Sequence, residues 1–210
     1  MIITLAETKT LLGITTSTYD TIIKANIPIV EAVICNECRD DFVEVAKNYY
    51  GYFTLRMYKY ATTLSFVALT NSMADSASGL ATTNFKAGDS VKIYNSLDNE
   101  GTFTIKTVAA ASIVFEDINT IVDEAAGQNI LMVRVKYPTE LKHVAAKMLK
   151  FAINTKIDMG LKSENIDDYS YQNWGANEYR GGYPSAIMDG LKNHRALFKR
   201  SLPTLSEVLL

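Results

Sequence analysis

The sequence predicts an α+β protein in which an α-helical bundle of about four helices carries an inserted small antiparallel β sandwich or barrel. Two changes of pattern lead to this prediction. Apolar residues repeat at helical spacing towards both ends of the chain, and they alternate with polar residues through its middle. We therefore expect residues 1–48 and 137–210 to form a discontinuous helical domain, and residues 49–136 to form a β-rich insert.

The first helix is predicted by its boundary signals. Thr4 and Glu7 have the spacing of a capping box, in which each side chain satisfies a backbone amide at the start of a helix. Gly13 is a typical residue at a helix C-terminus, because it adopts a left-handed conformation without a steric penalty. These signals predict a short helix over Leu5–Leu12.

The second helix is predicted by a long apolar stripe. Ser17 or Thr18 is a suitable N-cap, and apolar residues then recur at steps of three and four. Pro28 removes one backbone hydrogen bond, but the stripe keeps its phase across it. We expect one bent helix that ends near Cys38.

The middle of the chain is rich in Thr, Val, Ile and aromatic residues, with Gly, Asn and Asp between the runs. Asp98 to Gly101 is a turn signal, and the small polar stretch from Ser72 to Gly79 is typical of an exposed loop. Strands are predicted where apolar residues alternate with polar ones. The alternating pairs are Val91 and Ile93, Phe103 and Ile105, Ile113 and Phe115, and Val133 and Val135.

Helical spacing returns after Tyr137-Pro138 and is stopped by Gly160. Residues 161–183 are typical of a loop. Pro184 or Ser185 begins a last helix that Pro203 stops. The tail from 204 to 210 has no evident role in the core.

The residues that usually carry chemistry are scarce. The chain has 2 His and 2 Cys, and it lacks the common nucleophile, phosphate-loop and metalloprotease motifs. Cys35 and Cys38 are best interpreted as free thiols, with a redox pair or a metal site as alternatives. We expect no enzymatic activity, no cofactor, no metal site and no catalytic residue; His194 is expected to be a hydrogen-bonded core or interface residue.

Composition and charge narrow the class of protein further. The chain has 210 residues, 48% of them hydrophobic and 21% charged, which excludes a largely disordered chain and a disulfide-stapled miniprotein. The formal net charge of −2 argues against nucleic-acid binding through bulk charge. The N-terminus has no basic region before an apolar run, and no apolar stretch reaches the length of a bilayer. We expect a soluble protein made inside the cell.

Two groups of residues are candidates for partner binding. Five aromatic residues fall within fifteen positions, which favours an interface, with packing onto the bundle as the alternative. Basic residues of the C-terminal part, among them Lys147, Lys150 and Lys192, fit a polyanion or an acidic partner, with a solvated face as the alternative. The candidate partner-binding residues are Tyr169, Tyr171, Trp174, Tyr179, Tyr183, Arg195, Lys199, Arg200, Leu209 and Leu210.

Six stretches, taken in the order in which they occur, resemble segments of one known protein family. They are Leu5–Ile14, Ala25-Asn26-Ile27-Pro28, Cys38-Arg39-Asp40-Asp41-Phe42, Tyr137-Pro138, Gly160–Ser170 and Tyr183-Pro184. Together they resemble the head–tail adaptor, or connector, proteins of tailed bacteriophages. The chain departs from that family in its large β insert and in Asp167, where the family often has Gly.

This resemblance implies a structural protein of the virion, located at the head–tail junction and made in the cytoplasm of the host bacterium. It implies a ring of copies, typically a dodecamer, beneath the portal protein. Such a ring extends the channel through which DNA passes without sequence-specific binding, and it docks the stopper or tail-completion protein, with no membrane partner. The alternative is a neck-associated protein whose β insert binds a receptor or a glycan.

Overall fold

The computed structural model describes residues 1–47, 53–116, 121–154, 163–166, 169–172 and 179–196. The chain divides into two compact units. We call Met1 with the described part of Asp40–Tyr137 the sheet unit. We call Ile2–Arg39 with the described part of Pro138–Lys199 the helical unit.

The main element of the sheet unit is a seven-stranded antiparallel sheet, and it shows that the predicted fold class was wrong. The molecule is a mixed α+β protein dominated by this sheet, and it is not a helical bundle with an inserted sandwich or barrel. The alternating pattern predicted strands correctly, but it carries no information on which strands pair. The strands are β1 (Val45–Lys47), β2 (Phe53–Leu55), β3 (Tyr58–Ala61), β4 (Leu64–Val67), β5 (Ser72–Asp75), β6 (Ser90–Tyr94), β7 (Gly101–Val108), β8 (Ser112–Phe115) and β9 (Ile130–Val135).

The strand order is β3-β9-β6-β7-β8-β5-β4, and β1 and β2 form a separate antiparallel pair. Strand β7 joins the two halves of the sheet. Its first residues pair with β6, from Gly101 opposite Ile93 to Thr104 opposite Ser90. Its last residues pair with β8, with a register irregularity between Ile105 and Thr107. Apolar residues from both halves bury themselves in one core cluster, including Leu64, Met73, Val91, Ile105, Phe115 and Met132.

Strand β5 corrects a second expectation. Residues 72–75 were predicted to lie in an exposed loop, because Ser72, Ala74 and Asp75 are small or polar. They form a strand hydrogen-bonded to β4 on one side and to β8 on the other. Met73 is completely buried in the core, and Asp75 is 1% exposed. Met73 is thus the single large apolar residue of β5, and the other side chains of this strand do not show the apolar–polar alternation that predicts a strand.

Two predicted helices open the helical unit. Helix α1 (Leu5–Leu12) has both hydrogen bonds of the predicted capping box and ends at Gly13, whose φ is +67°. Helix α2 (Asp20–Cys38) runs without interruption through Pro28, as predicted. The predicted N-cap was wrong, because Tyr19 occupies that position without a side-chain hydrogen bond.

Helix α3 (Thr139–Asn154) packs against α1 and α2. It buries an apolar stripe that includes Leu141, Val144 and Met148. Its predicted end at Gly160 lies outside the described residues. No helix that the structure describes is long and apolar enough to cross a bilayer.

The C-terminal part of the helical unit is less helical than predicted. Helix α4 (Ser185–Met188) is one turn long and continues as a 3₁₀ helix over Asp189–His194. Gly190 lies in this segment, where glycine weakens an α-helix. A methyl group at Gly190 would lie 2.8 Å from Cγ2 of Val144, so glycine is required for the close approach to α3. The expected helix beyond residue 196 lies outside the described residues.

The predicted loop over 161–183 contains two hairpins instead. Strands β10 (Ser163–Ile166) and β11 (Tyr169–Gln172) pair in antiparallel fashion. Strands β12 (Tyr179–Arg180) and β13 (Tyr183–Pro184) form the second pair, joined by Gly181 and Gly182, which both have positive φ. These strands were not predicted because their residues, many of them Tyr, Ser and Asn, show no strong alternation of apolar and polar side chains. The strands are identified only by their backbone pairing.

Candidate interaction surfaces

Four of the five predicted aromatic residues lie in the two hairpins of the helical unit. Tyr169 and Tyr171 belong to β11, and Trp174 lies outside the described residues. The rings of Tyr179 and Tyr183 both pack against Phe151 of α3, with centroids 6.1 Å and 5.9 Å away. Tyr183 is 7% exposed, and this burial raises the pKa of its hydroxyl. The second hairpin is thus packed onto α3.

Arg195 is the one predicted C-terminal contact residue that the described part of the chain includes. It is exposed, and its guanidinium donates to Glu37 at the end of α2. Ala196 follows and donates its backbone amide to the carbonyl of Cys38 at 2.8 Å. The remaining candidates, Lys199, Arg200, Leu209 and Leu210, lie outside the described residues.

The carboxylate of Glu37 forms ion pairs that connect three parts of the helical unit. Its Oε2 accepts hydrogen bonds from Nη2 of Arg180 at 2.6 Å and from Nη2 of Arg195 at 2.8 Å. The hydrogen bond from Arg180 is the largest influence, and together with Arg195 it lowers the pKa of Glu37 below its ordinary value. The carboxylate is therefore charged at neutral pH and connects α2 to the second hairpin and to the segment after the 3₁₀ helix.

Cys35 and Cys38 are not joined in a disulfide, in agreement with the interpretation from the sequence. Cys38 is buried and Cys35 is partly buried. Within the described ranges, no cluster of three or more His, Cys, Asp or Glu side chains has the arrangement of a metal site. His194 ends the 3₁₀ helix and is partly buried, and His143 is exposed on α3.

One face of α2 is exposed and uncharged along nearly its whole length. Every exposed position between Thr21 and Asn36 carries a neutral side chain, and the one lysine in this stretch, Lys24, is partly buried. Ile29 is the largest of them and is 55% exposed. The face extends over about 22 Å at the rise of an α-helix. The residues of this α2 face are Thr21, Ala25, Pro28, Ile29, Ala32 and Asn36.

The basic residues of α3 form a different surface. His143, Lys147 and Lys150 are exposed and recur at helical spacing. The structure gives neither of these two lysines an ion-pair partner among the described residues, whereas Lys142 on the same helix pairs with Glu7 of α1. The sequence interpretation as either a solvated face or a polyanion surface stays a prediction.

In the sheet unit, a buried carboxylate organises the loop between β6 and β7. Glu124 is 7% exposed and accepts hydrogen bonds from Ser96 Oγ, Leu97 N, Asp98 N and Asn99 Nδ2. Burial by itself raises the pKa of Glu124, and these hydrogen bonds together lower it below its ordinary value. The carboxylate of Glu124 is therefore charged in the folded loop.

Exposed apolar residues surround this loop, and sequence reasoning did not identify them. Leu69 is 94% exposed, Leu97 is 71% exposed and Val122 is 48% exposed. They are distant in sequence, and Leu69 alone of the three lies in an exposed apolar run, Val67-Ala68-Leu69. The one available signal was charge, because residues 61–85, 93–105 and 107–133 contain no Lys or Arg.

Comparison of the chain with protein-family models, curated proteins and solved structures finds no match. The function of the protein is therefore proposed from the surfaces described above and from the resemblance of the sequence to head–tail adaptor proteins.

Proposed function

We propose that this chain is a head–tail adaptor of a tailed bacteriophage. Copies form a ring beneath the portal protein, extend the DNA channel and dock the stopper or tail-completion protein. The proposal combines the order of the resembling stretches in the sequence with one structural observation, the uncharged α2 face. It assigns the protein a structural and not an enzymatic role.

The α2 face supports the proposal because a closed ring needs a surface on each copy that binds a different surface on the next. Interfaces between subunits are depleted in charged residues at their centre. The α2 face lacks charge over about 22 Å and has Ile29 near its middle. Such a surface is suited to side-to-side contact between copies.

We assign further contacts with the portal and with neighbouring copies to residues 163–183 and to the C-terminal helix and tail. Arg195, within this C-terminal part, is fixed to α2 through Glu37. The chain is consequently fixed to α2 as far as Ala196.

The alternative of receptor or glycan binding needs exposed aromatic rings on the sheet unit. The large apolar side chains that are at least 36% exposed in the described part of this unit are all aliphatic: Val67, Leu69, Leu97 and Val122. This surface favours contact with a protein. We therefore keep the adaptor as the proposed function.

The decisive experiment is cryo-electron microscopy of the virion neck. We expect a ring of this chain between the portal and the stopper, with the α2 face in the contact between copies. The absence of the chain from the portal–tail junction would refute the proposal. A glycan array, run with the purified chain, is expected to show no binding.

A matched pair of variants tests the role of the α2 face. Ile29→Asp places a charge at the middle of the face and is expected to prevent completion of heads that lack the wild-type chain. Leu11→Asp is the control, because Leu11 is 40% exposed on α1 and outside the α2 face. Equal head completion by both variants would show that α2 does not form the contact.

A further inference from the structure

A surface at one end of the sheet unit combines exposed apolar side chains with acidic ones. We call it the tip surface and define it by residues 66–71, 95–100 and 121–126. It exposes Val67, Leu69, Leu97 and Val122, which are between 36% and 94% exposed. Contiguous exposed apolar groups on a soluble protein are often sites of protein binding.

Hydrogen bonds fix the three segments to one another. Phe66 and Glu124 exchange two backbone hydrogen bonds of 2.8 Å and 3.1 Å, and Ala68 N donates to Asp123 Oδ1 at 2.7 Å. The side-chain amide of Asn99 donates to the carbonyl oxygen of Val122 and accepts a hydrogen bond from its backbone N–H. Together with the four donors that Glu124 binds, these contacts make the tip a preorganised surface, which reduces the entropy lost on binding.

The charge of the tip surface specifies its partner. The three segments contain four carboxylates and no Lys or Arg. Glu124 is buried, but Asp98, Glu100 and Asp123 are exposed beside the apolar side chains. A complementary partner has basic residues next to large apolar ones.

The chain itself contains such a segment. Residues 197–210 read Leu-Phe-Lys-Arg-Ser-Leu-Pro-Thr-Leu-Ser-Glu-Val-Leu-Leu, with Lys199 and Arg200 directly after Phe198. These 14 residues follow Ala196, which is bonded to the end of α2. Extended, they reach up to about 50 Å from that point, which is enough to contact a neighbouring molecule.

We infer that the tip surface of one copy binds residues 197–210 of a second copy. Apolar residues of this segment cover Leu69, Leu97 and Val122, and its basic pair lies against the exposed carboxylates. The inference rests on the proposed function for the presence of a neighbouring copy. It adds a contact between sheet unit and C-terminal segment that is distinct from the α2 face.

Two variants of the full chain separate the two sides of this contact. The tip variant carries Leu69→Asp and Leu97→Asp, both at exposed positions that the core does not use. The tail variant carries Lys199→Glu and Arg200→Glu. Circular dichroism and thermal unfolding of each variant check that the chain is folded before binding is measured.

The first measurement is fluorescence anisotropy with a labelled peptide of sequence 197–210. We expect the peptide to bind the tail variant, whose tip surface is unaltered, and to bind the tip variant about tenfold or more weakly. The affinity should fall as salt is added, because part of it is electrostatic. Equal binding to both variants, or none to the tail variant, would overturn the inference.

The second measurement is sedimentation velocity at rising protein concentration. In the Ile29→Asp background, which removes the α2 contact, the chain with unaltered tip and tail is expected to associate and each variant alone to remain monomeric, whereas an equimolar mixture of both variants restores a heterodimer. Peptide binding without any association of the Ile29→Asp chain would mean that the segment binds its own copy, and would contradict the inference. A charge exchange gives a further check: Lys199→Glu should weaken association, and added Asp98→Lys should restore it.

These assays also separate the inference from the proposed function. Ile29→Asp alters the α2 face alone, so its peptide binding should equal that of the wild-type chain even if ring formation fails. If heads are completed normally by the tip variant while Ile29→Asp blocks completion, the tip contact is refuted and the adaptor role stands. If the tip contact is measured but the chain is absent from the virion neck, the adaptor role is refuted alone.

Discussion

The guanidinium of Arg195 binds both the main chain and the side chain of Glu37. Its Nε donates to the carbonyl oxygen of Glu37 at 3.1 Å, and its Nη2 donates to Oε2 of the same residue at 2.8 Å. Both acceptors lie one residue before Cys38, the last residue of α2. The end of a helix is thus bound by a residue 158 positions later in the chain.

The first prediction concerns this contact. Glu37→Gln removes the charge that Arg180 and Arg195 share, and we expect it to lower the free energy of unfolding by about 1 kcal/mol, because the ion pairs are partly exposed. Hydrogen exchange of the amide of Ala196, bonded to Cys38, should become faster. Lys192→Ala is the control, since it breaks only a highly exposed pair with Asp189 and should leave stability and exchange unchanged.

The second prediction concerns Asp75 and acid. Burial raises the pKa of this carboxyl, but hydrogen bonds from Thr63, the amides of Ala77 and Gly79, and Lys59 lower it to about 2. Because the pKa is lower in the folded state, the stabilisation is present above the unfolded value of 3.8 and is lost as pH falls towards about 2. Asp75→Asn should cost about 2 kcal/mol at pH 7.

Urea unfolding of the wild-type chain and Asp75→Asn between pH 2 and 7 measures this linkage. The difference in free energy should be constant near neutral pH and should shrink as pH falls from about 4 to about 2. A difference that does not change with pH would show that Asp75 contributes through shape alone.

The third prediction concerns Glu124. Glu124→Ala leaves the buried hydroxyl of Ser96 and the partly buried amide of Leu97 without their acceptor, and it removes one of the two acceptors of Asn99 Nδ2. We therefore expect a loss of about 2 to 3 kcal/mol in the free energy of unfolding. Glu100→Ala removes one exposed acceptor of the Asn95 amide in the same loop and should cost at most about 1 kcal/mol. Similar losses in both variants, measured by chemical denaturation, would count against the central role of Glu124.

The fourth prediction concerns the contact between Gly190 and Val144. Alanine is favoured over glycine in a helix by about 1 kcal/mol, but here its methyl group would lie 2.8 Å from Val144 Cγ2. Gly190→Ala is expected to destabilise the helical unit by about 1 to 2 kcal/mol.

A double-mutant cycle separates the steric cause from a backbone effect. Val144→Ala removes the methyl group that obstructs the new side chain, so the cost of Gly190→Ala should be smaller in the Val144→Ala background. Additive costs of the two substitutions in thermal unfolding would show that the close contact is not the reason.

The local features of the fold were predictable where one stretch of sequence contains the whole signal. Thr4, Glu7 and Gly13 determine α1 through contacts within a few residues. The stripe of α2 indicated a continuous helix across Pro28. The predicted alternation of Val91 with Ile93, and of Phe103 with Ile105, corresponds to buried residues of β6 and β7.

The remainder depends on partners that are distant in sequence. β5 is a strand because β4 and β8 lie on either side of it, and its own residues do not indicate this. The last helix was predicted as a continuous α-helix, but a pattern of apolar residues does not distinguish the single α-helical turn from the 3₁₀ helix that follows it. The tip surface was missed because Leu69, Leu97 and Val122 come together only through the contacts of Glu124 and Asn99.

The position of β7 has a consequence for how the sheet unit resists separation. Among the described strands, β7 is the strand through which β3, β9 and β6 are hydrogen-bonded to β8, β5 and β4. The two outer strands, β3 and β4, are separated in the chain only by Thr62 and Thr63. A load that pulls these outer strands apart is therefore carried by the covalent chain between them, whereas shear between the two halves of the sheet acts on the hydrogen bonds on both sides of β7.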